Sequence, residues 1–397
     1  MVVRSPSATS GTGRNRRFRG PRGLLRRARR IALPLICALP LAPTGCKPKG
    51  IENPPELSRT ITHSRVSADA DRLIQAFADQ DIATVEAWMT PALKTQVNPR
   101  LLSDAALRLR ADFGPPIGIM EERMHREGPL VWYSGLVFHG RSKERGGDGR
   151  LRLVLYQFAL TPEARLDKLL VREHLYLPDL EPPVDHYMPV TRFHFPSTGE
   201  WTVAHGGPRR STNYHHGSRR QRWAYDLVVH KGGSSRPAGR KQNRDFYCYG
   251  RPVLAPADGT IIKAVDGVGE NVPGKRGRAG GNGVLIDHGF GEITSLWHFI
   301  PGTLTVREGD RVRVGQVLGK VGNSGSSTAP HIHFHVSYNE ESLEGFALPA
   351  EFVDVYVDGM WRDRAMPVRG QRVRPLHSGS PSRRGRQARR PVIFLDL

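Results

Sequence analysis

Gly319-Lys-Val-Gly-Asn-Ser-Gly-Ser-Ser-Thr-Ala-Pro-His-Ile-His-Phe-His335 decides how this chain is read. His331 and His333 open a run in which Ile332, Phe334, Val336 and Tyr338 alternate with other residues, the period of a β-strand. Side chains two apart on a strand share a face, about 6.6 Å apart along it. One imidazole can then hold a metal while the other reaches a bound water or a substrate atom. The Gly/Ser/Asn-rich turn before the strand lets the backbone pass close to a ligand. The segment predicts a metal site on a β scaffold. Alone the pair is a weak signal, because surface strands carry such pairs by chance.

The flanking sequence strengthens it. Gly250-Arg-Pro-Val-Leu-Ala-Pro-Ala-Asp-Gly-Thr-Ile-Ile-Lys-Ala-Val265 alternates apolar residues broken by Pro and Gly, a pattern of short antiparallel strands. Gly281-Asn-Gly-Val-Leu-Ile-Asp-His-Gly289 and Thr294-Ser-Leu-Trp-His-Phe299 follow, then Val306-Arg-Glu-Gly-Asp-Arg-Val-Arg-Val-Gly-Gln-Val-Leu-Gly-Lys-Val-Gly322. Further upstream, Asp226 sits in the alternating stretch Trp223 to Val229 and is the only acidic residue between Glu200 and Asp245.

In this order the segments resemble the lysostaphin-type (LytM-like) zinc metalloendopeptidases, a family of peptidoglycan hydrolases. Its members run G-x-P-V-x-A, G-N-x-V, Y-x-H-L, a V-x-x-G-x-x-V-x-x-G-Q repeat and H-L-H-F-E. The resemblance covers about Phe193 to Tyr356. It implies a mainly antiparallel β peptidase domain and a Zn2+ site with three protein ligands and one open position. The implied ligands are His333, Asp226 and a histidine upstream of it. His215, in register with Asn213, is favoured there, with His216 the alternative. His331 becomes the general base and His298 the donor to the developing oxyanion. The implied substrates are the peptides that crosslink peptidoglycan.

Other histidines are read as supporting or structural. His335 stands where the family carries Glu; by parity it faces the side of His333, either orienting a ligand or serving as an ordinary strand residue. His288 is expected in a turn with local hydrogen bonds, and His205 and His230 in loops.

The chain has 397 residues, 59 Lys and Arg against 38 Asp and Glu, and a net charge of +21. That length supports two domains. Basic ends can indicate nucleic acid, but no helix-turn-helix, zinc-finger or stacking motif accompanies them, and no nucleic-acid partner is expected. Arginines from Arg14 to Arg30 instead precede the apolar stretch Ile31 to Ala42, too short to span a bilayer. Leu41-Ala-Pro-Thr-Gly-Cys46 resembles a lipobox with Pro43 as a departure. Residues 1–45 are therefore expected to be an export signal, Cys46 a lipid anchor and residues 46–60 a linker, giving an exported, envelope-bound protein. The only other cysteine beyond the signal, Cys248, is expected to be a buried strand thiol, so no disulfide framework forms.

Residues 61–182 read as a separate α+β domain: helical spacing over Ala68–Asp79, Ile82–Met89 and Leu101–Phe113, then strands Val131–His139, Leu151–Ala159 and Lys168–Leu177. Its Ala78-Asp-Gln-Asp-Ile-Ala-Thr-Val85 and Met89-Thr-Pro-Ala-Leu-Lys94 resemble the nuclear-transport-factor-two-like cone domains. The peptidase domain spans 183–361. Residues 362–397 form a basic, disordered tail, free to lie on an anionic envelope surface by charge.

Three functions compete. The first is an active endopeptidase. The second is a silent relative that binds the wall and activates another hydrolase; such relatives lack ligands, and here every position is filled. The third is a carrier half-barrel, which Val306–Gly322 resembles, but no Met-Lys hairpin is present to modify.

Overall fold

The three expected helices between residues 63 and 113 form, with a short extra helix at Pro91–Lys94, and the last three of the four open on a capping side chain. The computed structural model describes residues 63–141, 151–176, 184–278, 280–340, 345–376 and 394–396. The export signal, Cys46, the linker at 46–60 and half of the basic tail lie outside the described residues. Helices α1 (His63–Ala78), α2 (Ile82–Trp88), α3 (Pro91–Lys94) and α4 (Pro99–Phe113) come first. Asp81 caps α2 by accepting from the Thr84 amide at 3.1 Å, Thr90 caps α3 and Asn98 caps α4. Pro91 and Pro99 open α3 and α4, where a missing N–H costs nothing.

The helices pack on an antiparallel sheet of β1 (Pro116–Glu127), β2 (Leu130–His139), β3 (Arg152–Leu160) and β4 (Leu166–Leu175), in that order. Residues of α1, α2 and α4 share one core with Tyr133, Tyr156 and Phe158 of β2 and β3. Strand β1 escapes the sequence pattern. Its Met-Glu-Glu-Arg-Met-His-Arg-Glu stretch is charged, its residues are half-buried or exposed, and two register shifts interrupt it.

The second half is the expected antiparallel β domain. Its strands are β5 (Trp201–His205), β6 (Tyr225–Val228), β7 (Pro252–Leu254), β8 (Gly259–Val265), β9 (Gly283–Asp287), β10 (Ile293–Trp297), β11 (Arg311–Val312), β12 (Val317–Lys320) and β13 (Ile332–Tyr338). They continue with β14 (Phe346–Leu348), β15 (Phe352–Val357), β16 (Met360–Ala365) and β17 (Arg372–Pro375), and β18 (Phe394–Asp396) adds a parallel strand to β4. The main sheet runs β11-β8-β9-β10-β13-β6-β5-β17-β15-β16, with β14 also on β13 and β7 paired with β12.

Strand β13 is the axis of this domain. Phe334 is fully buried and meets Phe193, Tyr225 and Phe352 at ring separations of 6.2, 6.1 and 5.1 Å. Burying such a ring contributes about 1.5–3 kcal/mol. That anchors one face of β13 and commits His333 and His335 to the other. Gly283 faces Trp297 across β9 and β10, and a Cβ there would fall 2.1 Å from the indole. Gly283, directly after the Gly281-Asn282 pair, is thus required by close approach.

Three expectations need correction. Residues 362–376 are folded: β16 ends the sheet, and β17 inserts between β5 and β15 with Val373 fully buried. Arg-rich composition concealed this, since the pairing partner Trp201 lies far away in sequence. Cys248 is buried, but in a turn, where its Sγ donates to the Pro330 carbonyl at 3.1 Å. His205 ends strand β5 opposite Asp226 instead of lying in a loop.

Glu292 ties down the opening segment of the second half, and its carboxylate is fully buried. It accepts from the Tyr187 hydroxyl at 2.6 Å and from the Val190 and Thr191 amides at 2.7 and 2.8 Å. Burial raises its pKa, and these donors oppose the rise. Leu136, Leu153 and Leu155 of the first sheet form a small core with Val190 and Phe290.

Candidate metal centre

Three adjacent strands bring the candidate residues together. Register puts His333 of β13 directly opposite Asp226 of β6 on one side and Trp297 of β10 on the other. His298, the next residue after Trp297, therefore lands beside the same spot.

His215 arrives from a loop with a defined cause. The Asn213 side chain is buried and donates to the carbonyls of Gly207, Arg222 and Ala224 at 3.3, 3.1 and 3.1 Å. Its Oδ1 accepts the His215 amide at 3.0 Å. That hub turns His215 inward, and His215 is 7% exposed. His216 is half-buried and joins neither cluster of metal-competent donors among the described residues.

His215 Nε2 lies 3.2 Å from both Asp226 oxygens, and His333 Nδ1 lies 2.9 Å from Asp226 Oδ1. These donor atoms all lie within 4.8 Å of one another. A tetrahedral zinc with bonds of about 2.0–2.1 Å separates its ligand atoms by about 3.3 Å. Two imidazoles and one carboxylate at this spacing fit a first-row divalent metal.

The charges suit that role. Burial opposes ionisation of Asp226, but His331, His215 and His333 around it hold its pKa well below the usual carboxylate range. Burial lowers His333 to about 4, so it stays neutral, as a ligand must.

His298 and His331 flank the centre, with ring centres 4.6 Å apart. His298 Nδ1 donates to the Ser324 carbonyl at 2.7 Å, and His331 Nδ1 donates to the Ala329 carbonyl at 2.8 Å. A carbonyl only accepts, so both neutral rings carry their proton on Nδ1 and present a bare Nε2. This suits a base at His331, whose Nε2 is 3.5 Å from Asp226 Oδ1. For His298 it leaves Nε2 as an acceptor while the ring is neutral, its one N–H being committed to Ser324. Burial first, then the charges of His331 and His333, keep its pKa well below the ordinary value. His298 also takes a left-handed φ of 76°. The buried Asn282 carbonyl holds its amide at 2.9 Å, and its own carbonyl accepts the Gly322 amide at 3.0 Å. The backbone is strained at a residue the site needs in place.

Beyond the ligands, His333 Nε2 lies 3.0 Å from His335 Nδ1, and His335 Nε2 lies 3.3 Å from Glu340 Oε1. His335 is fully buried. Glu340 gave no signal in the sequence; Asn339, at φ 50°, reverses the chain after β13 and returns it to His335. His205 was likewise missed and meets Tyr214 edge-on at 4.5 Å. His288 behaves as expected, donating from Nδ1 to the Asp258 carbonyl and accepting from Thr294 Oγ1, both at 2.7 Å. His230 is exposed, in a segment outside the strands.

A cleft of about 300 Å³ opens onto Asp226 and His331, walled by His205, Tyr214, Thr328 and Arg276 among others.

Comparison with known proteins finds a match over part of the chain. Residues 242–344 match peptidase family M23. That span holds His298, His331 and His333; His215 and Asp226 lie upstream of it. The chain is 34% identical over 116 residues to the glycyl-glycine endopeptidase ALE-1 of Staphylococcus capitis, covering 29% of each protein. It is 36% identical over 104 residues to the DD-carboxypeptidase/endopeptidase Mpg of Neisseria meningitidis serogroup B, covering 25% of this chain and 21% of Mpg. The chain thus spans under a third of the length of these relatives. A solution structure of lysostaphin aligns at 26% identity over 31% of this chain and 39% of that one, with a TM-score of 0.20, too low to compare whole shapes. Five ordered motifs, the strand register that joins them and the match over residues 242–344 identify that segment as a peptidase family M23 domain similar to the lysostaphin-type, LytM-like enzymes.

Proposed function

We propose that the protein is a zinc-dependent endopeptidase that cuts the peptide crosslinks of bacterial peptidoglycan. The convergence of His215 Nε2, Asp226 Oδ1 and His333 Nδ1, beside two bare imidazole nitrogens, carries this reading. A zinc ion held by these three residues supplies Lewis acidity toward a carbonyl and a water. His331 takes the proton of the attacking water at Nε2 and, as imidazolium, returns it to the leaving amine. Neutral His298 accepts a hydrogen bond from that water and fixes its direction of attack. The filled ligand set argues against a silent, wall-binding regulator. Helices packed on one face of an antiparallel sheet support a cone-like reading of residues 63–176.

Digestion of purified peptidoglycan, with mass spectrometry of the fragments, tests the reaction. Peptide crosslinks should open with zinc present, stop opening after chelation and resume when zinc is restored. Intact crosslinks under all three conditions would refute an endopeptidase.

The chain from His333 through His335 to Glu340 predicts a second effect. With His333 Nδ1 committed to the metal, its Nε2–H donates to His335 Nδ1, and His335 Nε2–H donates to Glu340. Partners of this kind are worth about 10–100-fold in metal affinity. His335→Phe should weaken zinc binding by about that range in chelator competition, and Glu340→Gln by less. Unchanged affinity in both would remove His335 from the site.

A further inference from the structure

Among the described residues, Arg276 is the one charged residue lining the cleft outside the metal centre and its histidines. It lies in the loop between β8 and β9 and is exposed. Among the described residues no hydrogen bond or ion pair engages its guanidinium.

The loop that carries it is firmly built. Asn271 Nδ2 donates to the Gly325 and Ser327 carbonyls at 2.7 and 2.9 Å, and the Asn271 amide donates to the Asn323 carbonyl at 2.9 Å. The Gly274 amide donates to the Thr328 carbonyl at 2.8 Å. Gly325, at φ 73°, approaches Gly280 so closely that a Cβ would lie 1.6 Å from the Gly280 carbonyl oxygen. The Arg276 loop is therefore docked on the segment that leads into His331. Its neighbours Lys275 and Arg278 are also exposed, so this lip of the cleft is positive.

An unpaired guanidinium on a fixed loop, facing a cleft with a carbonyl-activating centre, is complementary to a carboxylate. Stem peptides of peptidoglycan carry free carboxylates beside their D-alanyl and diaminopimelyl bonds, whereas glycine bridges carry none. We infer that Arg276 forms a carboxylate subsite, which selects stem-peptide crosslinks with a free carboxylate next to the scissile bond over uncharged glycyl bridges. This rests on the peptidase reading above and adds the substrate class.

Binding tests the subsite independently of turnover. The full-length His331→Ala protein, loaded with zinc, is titrated calorimetrically with three uncut probes. These are a D-alanyl-diaminopimelyl peptide with free carboxylates, the same peptide amidated, and pentaglycine amide. The acid should bind about 10–100-fold more tightly than its amide, the range of a charge-assisted hydrogen bond. Adding Arg276→Gln should abolish that preference, and Arg276→Lys should keep part of it. Binding of the amide should not change. Equal affinity for acid and amide, or a preference that survives Arg276→Gln, overturns the subsite. Absence of cleavage by the otherwise unaltered chain would defeat the peptidase reading instead and leave the binding comparison valid.

Discussion

Asp226→Ala should remove the metal and the activity together. Asp226 is 5% exposed, and His215, His331 and His333 all lie within 3.5 Å of its oxygens. No other described residue in the cluster supplies an anionic donor. Loss of a partner that only orients a ligand costs about 10–100-fold in metal affinity, so loss of the carboxylate itself should cost more than about 100-fold. Elemental analysis after dialysis should find the metal absent from Asp226→Ala, His333→Ala and His215→Ala and retained in His216→Ala. Stoichiometric metal in Asp226→Ala would sink the assigned centre. Loss in His216→Ala with retention in His215→Ala would exchange the two histidines.

His331→Ala should keep the metal and lose turnover by about 10²–10⁴-fold, the usual contribution of a positioned base. Its sign with pH follows from its surroundings. Burial disfavours the imidazolium of His331, but the Asp226 carboxylate outweighs this and raises the pKa above 6.5 in the metal-free chain. A divalent cation at Asp226 offsets that negative charge, so the pKa falls when metal binds. The base works only when neutral, and kcat/KM should therefore rise with pH and level off. With zinc in excess the rise should lie at lower pH than the titration of His331 in the metal-free chain, followed by NMR. Zinc should rescue only the part of the acid limb due to metal loss. An acid limb that vanishes entirely in excess zinc would mean that His331 is not the titrating group, and the bare Nε2 of His298 would become the first alternative.

Much of the β domain was legible locally. The alternation of Ile332, Phe334 and Val336 marks β13, and the Pro- and Gly-punctuated stretch from Gly250 marks β7 and β8. Helices α2 and α4 were legible through the helical spacing of their apolar residues. Strands β1 and β17 were not: one is charged and irregular, and the other is a short Arg-rich segment that becomes a strand only by pairing with β5 and β15.

The sequence alone determined that His333 lies on a strand, two residues after His331, and that Asp226 lies on another strand; His331 itself sits just before its strand. Tertiary structure decided what those residues can do. Register set Asp226 opposite His333, the Asn213 hub chose His215 over His216, and the turn at Asn339 brought in Glu340. The carbonyls of Ser324 and Ala329 fixed where the His298 and His331 protons sit. Periodicity is written in neighbouring residues, because a strand's faces follow from its own dihedrals. A ligand set and a tautomer depend on hydrogen-bond partners from distant parts of the chain, and only the folded backbone brings those within reach.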